Sequence, residues 1–263
     1  MQTIDFIRGI GYKVISFPDG EKHLKIDELN RKDSVDIICR ICNSDDLFLL
    51  MQLSDILNRQ CVVINTITIY YLMTMRCDRL FSFEEAHSLK IIANVVNSFN
   101  AGKVILVEPH SEASLALINN SEAQYVSKGL CTEQKVIFCY PDKGAYLRYN
   151  NQYDAVKPII CGKVREESTG ALLKFEIIDK GDYQEGMTIC VVDDLCDGGG
   201  TFIGVSKLLR ELNPEKLILN VTHAVQKKGI ENVSKYYDEV NITNSYTNWE
   251  YDTLPINVNI FNY

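Results

Sequence analysis

The sequence predicts an α/β fold: mainly parallel sheets flanked by helices, in two domains divided near residue 128. Three observations carry this. Short β-branched runs recur along the chain, and each closes on polar residues. Segments with the apolar spacing of a helix alternate with those runs, which is the pattern of a parallel sheet covered on its faces. The chain has 263 residues, 46% of them hydrophobic, enough for one large core or two modest ones.

Residues 35–41, "VDIICRI", read as a buried strand. Residues 44–60 follow as a helix, with Ser44 as the expected N-cap. Residues 61–71 read as the next strand. A helix is expected over 82–99, opened by a Ser82–Glu85 capping box, with Ala86, Leu89, Ala93 and Val96 on its buried face. Strands are expected over 103–110, 135–142, 157–164, 188–194 and 216–224. The helix at 201–212 places Phe202, Val205, Leu209 and Leu212 on one side. Residues 117–134 lack a strong period, and the domain division falls there. Ligands of parallel sheets bind at strand carboxyl ends, which singles out Glu108-Pro109-His110, Tyr140-Pro141-Asp142, Asp193-Asp194 and Thr222-His223.

The net charge of −8 leaves no global basic footprint, so no nucleic-acid partner is expected. Nine cysteines form no zinc-type Cys-x-x-Cys set, and several sit in apolar runs; they read mostly as core residues of a reduced, cytoplasmic protein. No apolar run reaches the roughly 18 residues of a membrane span, and no leader pattern opens the chain, so no membrane partner is expected.

The stretch "VVDDLCDGGGTF", residues 191–202, carries the most chemistry. A buried strand runs into Asp193 and Asp194, and a helix leaves near Thr201. Gly198, Gly199 and Gly200 allow close backbone approach and positive φ. Free N–H groups at a helix start suit an anion. Adjacent carboxylates suit a sugar diol, or Mg²⁺ bridging to phosphate. Together they point to a ribose phosphate; an acidic solvated turn is the plain alternative. The loop fits neither a Walker A pattern nor Gly-x-Gly-x-x-Gly.

This loop resembles the phosphoribosyl-pyrophosphate loop of type I phosphoribosyltransferases and ribose-phosphate diphosphokinases. Other segments favour the diphosphokinases. "FPDGE" (17–21) resembles their Phe-x-Asp-Gly-Glu, and "MRCDR" (75–79) their Arg-Gln-Asp-Arg, with Cys77 in place of glutamine. "EPHSEA" (108–113), "YPDKGAYLR" (140–148), "GKVRE" (162–166) and "THAV" (222–225) match further segments in the family's order.

The resemblance implies two phosphoribosyltransferase-like domains, 1–128 and 129–263, the second carrying the ribose-phosphate loop. It implies transfer of the β,γ-diphosphate of ATP to the 1-hydroxyl of a ribose 5-phosphate moiety, with AMP leaving. Lys163, Arg165 and His110 would be catalytic. Asp193 and Asp194 would orient the ribose hydroxyls, and Asp197, Gly198, Gly199, Gly200 and Thr201 would hold the 5-phosphate. Phe17, Asp19, Glu21, Arg76, Asp78 and Arg79 would bind ATP. His110 and Asp142 would assist Mg²⁺. The polar segment 166–175 would close over the site. Phe17–Glu21 would serve a neighbouring copy, which implies a homodimer or higher homo-oligomer.

Gly198 stands where the family has threonine, which removes a hydroxyl donor and opens space beside the phosphate. ADP-ribose therefore stands level with free ribose 5-phosphate as acceptor; its product, ADP-ribose 1-diphosphate, would serve NAD synthesis. The chain is also shorter than usual for the family, with no helix pattern before residue 135. A phosphoribosyltransferase would use residues 188–212 and leave the ATP segments idle. A non-catalytic regulatory homologue would be expected to lose Lys163 and Arg165.

Overall fold

The structure is a computed structural model that describes residues 2–29, 34–133, 135–149, 156–165 and 172–262; the side chains of Arg165, Leu172 and Leu173 fall outside that description. The chain forms two compact units, Met1–Tyr125 and Val126–Tyr263.

The first unit runs β1 (Gln2–Asp5), β2 (Tyr12–Ser16), β3 (Lys22–Ile26), β4 (Val35–Ile41), α1 (Ser44–Arg59), β5 (Ile64–Leu72), α2 (Ser88–Ser98), β6 (Lys103–Val107), α3 (Glu112–Leu117) and β7 (Ser121–Gln124). Its sheet has the order β1-β4-β5-β6-β7, with every pairing parallel. Val35, Ile37, Cys39 and Ile41 alternate into the core from β4. β2 and β3 form a separate antiparallel hairpin. Gln52 of α1 ties that hairpin down: its Oε1 accepts from Leu24 N at 2.8 Å and its Nε2 donates to Lys22 O at 2.9 Å. A helix side chain thus satisfies strand backbone groups that need partners.

Two helix starts differ from expectation. The N-cap of α1 is Asn43, whose side chain accepts from Asp45 N and Asp46 N, so Ser44 is the first helical residue. Helix α2 begins at Ser88 after His87, which makes no side-chain capping bond, and the Ser82–Glu85 box does not form. Glu85 instead accepts from Phe81 N at 3.2 Å, outside any helix, and Ala86 is exposed. The buried face keeps Leu89, Ala93 and Val96 and adds Ile92.

The second unit opens with a single 3-10 turn, Ser127–Leu130. It then runs β8 (Val136–Tyr140), α4 (Lys143–Tyr149), β9 (Ile159–Arg165), β10 (Leu172–Asp179), β11 (Thr188–Cys196), α5 (Gly200–Arg210), β12 (Leu217–Ala224), α6 (Lys227–Val233), β13 (Glu239–Thr243) and β14 (Val258–Phe261). The sheet order is β10-β9-β8-β11-β12-β13-β14, parallel except for β10 on β9. Helix α5 buries Phe202, Val205 and Leu209 against strand residues such as Val191, Leu219 and Ile242. It ends at Arg210, so Leu212 packs from beyond the helix. Gly204 is required where Phe175 of β10 crosses α5, because an added Cβ would sit 2.1 Å from its ring.

The polar segment 166–175 is not loop throughout: residues 172–175 belong to β10, and 166–171 lie outside the described residues. β13 and β14 join the sheet through polar residues. Asn241 donates to Asn220 Oδ1 and Asn259 donates to Asn241 Oδ1, both at 2.9 Å. Asn220 donates to Ser127 O at 2.8 Å. Asn220 and Asn241 are tolerated in the core because they are hydrogen-bonded there. Among the described residues no helix is long and apolar enough to cross a membrane.

Candidate active site

The strand order of the second unit reverses direction between β8 and β11: β9 and β10 lie on one side, β12 to β14 on the other. Open parallel sheets bind ligands at such a switch point, outside the strand carboxyl ends. β8 ends at Tyr140 and leads through Pro141 to Asp142, which opens α4. Asp142 Oδ1 accepts from Ala145 N at 3.0 Å, and Oδ2 accepts from Lys163 Nζ of β9 at 2.8 Å. Burial pushes the Asp142 carboxyl upward. The Lys163 ammonium, the Ala145 N–H and Arg148 outweigh it and hold the group below its ordinary 3.8.

β11 carries Asp193 and Asp194 towards its carboxyl end. Arg148, from the last turn of α4, meets both: Nη1 lies 2.7 Å from Asp193 Oδ1 and 2.8 Å from Asp194 Oδ1. The Arg148 side chain is 6% exposed, Asp193 15% and Asp194 3%, so three charges share one nearly dry pocket. Burial and the neighbouring Asp194 push Asp193 well above the usual carboxylate range, and Arg148 pulls it back. Burial also opposes the Arg148 charge, but Asp194 and Asp193 more than offset it and raise its pKa. Ser127 Oγ shares hydrogen bonds with Tyr149 at 3.1 Å and Thr222 at 2.9 Å, and donates to Asp193 O at 3.3 Å.

Beyond Asp197, the chain turns into α5 through the three glycines. Gly199 caps α5 with φ 82°, and an added Cβ there would lie 2.6 Å from Val233 Cγ1. Gly229 of α6 has no room for a side chain either, since its Cβ would fall on Asp197 O. The loop is thus held close against α6, and Gln226 Nε2 donates to Asp197 Oδ1 at 2.6 Å. Gly198 and Gly200 are exposed, with nothing within 4 Å of an added Cβ. The result is an open backbone cradle at the start of an 11-residue helix, with Thr201 half-buried in its first turn. Such a cradle accepts a phosphate.

The remaining sequence-predicted residues, Arg165 excepted, belong to the first unit. Phe17, Asp19 and Glu21 form the exposed tip of the β2–β3 hairpin: Phe17 N donates to Glu21 O at 2.8 Å, and Glu21 N to Asp19 Oδ1 at 3.1 Å. Arg76, Asp78 and Arg79 follow β5. Asp78 pairs with Arg79 at 3.2 Å. Burial raises Asp78, but the Ser111 hydroxyl, Arg79 and His110 overcome this and lower it. That electrostatic link brings Asp78, Arg79 and half-buried His110 together. Thr74 (φ 65°) and Glu108 (φ 48°) hold left-handed backbones just past the ends of β5 and β6. Conformations of this kind cost about 1–3 kcal/mol and concentrate at functional sites. The Arg165 backbone ends β9, and its side chain lies outside the described residues.

Among the described residues no group of three or more His, Cys, Asp or Glu is assembled for a metal ion. Sequence reasoning gave Arg148 no role, although it lies six residues after Asp142 within a matched segment. It passes for an ordinary helix-end arginine. Only the topology shows that α4 delivers it to the β11 carboxylates.

A glycine cradle beside paired carboxylates, at the switch point of a parallel sheet, defines a protein of the phosphoribosyl-binding α/β class. The phosphoribosyl transferase domain profile matches residues 112–255, more than half of the 263-residue chain, and the chain belongs to that family. Within it, the chain is a divergent member of the ribose-phosphate pyrophosphokinases. It is 27% identical over 255 residues to the ribose-phosphate pyrophosphokinase of Marinomonas sp. strain MWYL1, covering 91% of this chain and 77% of the relative. It is 28% identical over 251 residues to that of Pyrococcus furiosus, covering 89% and 85%. The crystal structure of phosphoribosylpyrophosphate synthetase from Mycobacterium smegmatis shares the fold, with TM-score 0.78, 19% identity and coverage of 95% of this chain and 85% of that one.

Proposed function

We propose that the chain transfers the β,γ-diphosphate of ATP to the 1-hydroxyl of a ribose 5-phosphate moiety and releases AMP. One observation carries this reading: the Arg148-held carboxylates and the glycine cradle share β11 and its helix, and the Lys163–Asp142 pair stands at the next strands. Asp193 and Asp194 take the ribose hydroxyls. The backbone from Asp197 to Thr201 takes the 5-phosphate. Lys163 leaves Asp142 for the phosphate chain, where charge develops during transfer. Arg165 shares that task, and His110 acts with Asp78 and Arg79 on the triphosphate. Arg76 and the hairpin tip residues Phe17, Asp19 and Glu21 complete nucleotide binding. The tip serves a neighbouring copy, so a homodimer is the smallest active unit.

A magnesium ion held largely by substrate phosphates needs one or two protein oxygens. Half-buried Asp142, a carboxylate that already accepts a cationic group, fits that need. When bound, the ion neutralises phosphate charge.

Free ribose 5-phosphate is the acceptor that the names of the relatives favour. ADP-ribose is favoured by a separate observation, the open space around Gly198, where an esterified phosphate continues outward. AMP release from ATP and Mg²⁺ with each acceptor tests both. AMP is expected with an acceptor and not with water alone. ADP-ribose that performs no better than water removes the second acceptor. Release that requires an added nucleobase argues for a phosphoribosyltransferase, and binding without turnover argues for a non-catalytic homologue.

A further inference from the structure

We propose that Arg148 is a positioning residue for acceptor binding: α4 acts as a fixed strut that aims the ribose-gripping carboxylates. The inference rests on the function proposed above. Helix α4 is anchored at both ends. At its start, Asp142 Oδ1 accepts from Ala145 N at 3.0 Å while Oδ2 holds Lys163. At its end, Tyr149 shares a hydrogen bond with Ser127 at 3.1 Å and stacks on Tyr140 with ring centroids 5.8 Å apart. Arg148 stands between these anchors, and its Nη1 bridges Asp193 and Asp194.

The bridge does two things. It compensates two adjacent carboxylates that would otherwise repel each other in a nearly dry pocket. It also orients the carboxylate that faces the ligand: Asp193 Oδ1 accepts from Arg148 at 2.7 Å and from Asp194 N at 2.9 Å, which fixes the plane of that group for a sugar hydroxyl. A planar guanidinium sets this geometry; an ammonium supplies the charge alone. Arg148 touches no reacting atom, so its effect falls on acceptor binding rather than on the diphosphate end of the site.

The test compares wild type, R148K and R148M in the full chain. Affinity for ribose 5-phosphate and ADP-ribose is measured by calorimetry without ATP, and KM for each substrate by AMP release. R148K keeps the charge and the fold, and its acceptor Kd and KM rise about tenfold while the KM for ATP stays within about twofold. R148M, where folded by circular dichroism, loses more acceptor affinity than R148K. A folded R148K with unchanged acceptor affinity, or with both KM values raised alike, overturns the proposal. A wild-type chain that binds neither acceptor contradicts the function itself, a result distinct from either.

Discussion

Lys163 Nζ donates to Asp142 Oδ2 at 2.8 Å, so the ammonium proposed for phosphoryl transfer is paired with the carboxylate proposed for the metal. The ammonium holds the Asp142 carboxylate ionised, and the contact orients both side chains until phosphates arrive. Removal of the ammonium in K163A is expected to lower kcat by about 10²–10³, the usual loss of one transition-state donor, with KM values changed only a few-fold. Steady-state AMP release measures this. A K163A enzyme with wild-type kcat assigns the charge to another residue.

The same pair predicts a pH dependence of stability. Asp142 titrates below its ordinary 3.8 in the folded chain. A carboxylate lowered on folding stabilises above its unfolded pKa, and that stabilisation is lost as pH falls through the folded value. Thermal melts of wild type and D142N from neutral pH down to pH about 2.5 should therefore converge in the acid range. A constant difference across that range contradicts the assignment.

The two β11 aspartates should respond unequally to substitution. Asp194 is the more buried, and D194A takes from the nearly dry Arg148 its better-buried partner while Asp193 stays paired with it. Breaking a buried ion pair outright costs about 3–5 kcal/mol, which bounds the expected loss from above. D193N should be milder, since the Asp193 side chain is partly exposed and its ionisation is already opposed by burial and by Asp194. Urea unfolding of both variants checks the order.

The cradle glycines separate in the same way. G199A forces a left-handed backbone on alanine and drives a methyl group into Val233, for an expected loss of about 1–3 kcal/mol. G198A enters open space and should change stability by less than about 0.5 kcal/mol. G198T should shift the ratio of kcat/KM towards ribose 5-phosphate and away from ADP-ribose. An unchanged ratio removes Gly198 as a specificity position.

Much of the sheet was legible because its strands are apolar. β4, β11 and β12 are rich in β-branched and other apolar residues, and α5 keeps its helical period. β13 and β14 were not, because Asn241 pairs with Asn259 across them and Thr243 adds another polar residue, which breaks the apolar run of a buried strand. The β2–β3 hairpin was hidden because its support comes from Gln52, a polar helix residue. The early start expected for α2 failed where Glu85 bonded Phe81 N. In the site, the Asp-Asp and triple-glycine chemistry was visible as sequence. Arg148 was not, since its meaning depends on β8 and β11 being neighbours, a long-range pairing that no local pattern encodes.

Transfer of the intact β,γ-diphosphate is the central claim, and isotope-labelled ATP tests it most directly. With ATP labelled at the β-phosphorus, ribose 5-phosphate and ADP-ribose supplied in separate reactions, the account predicts unlabelled AMP and label in the sugar product as a 1-diphosphate. Label recovered in ADP or in free pyrophosphate, with neither sugar modified, would contradict it.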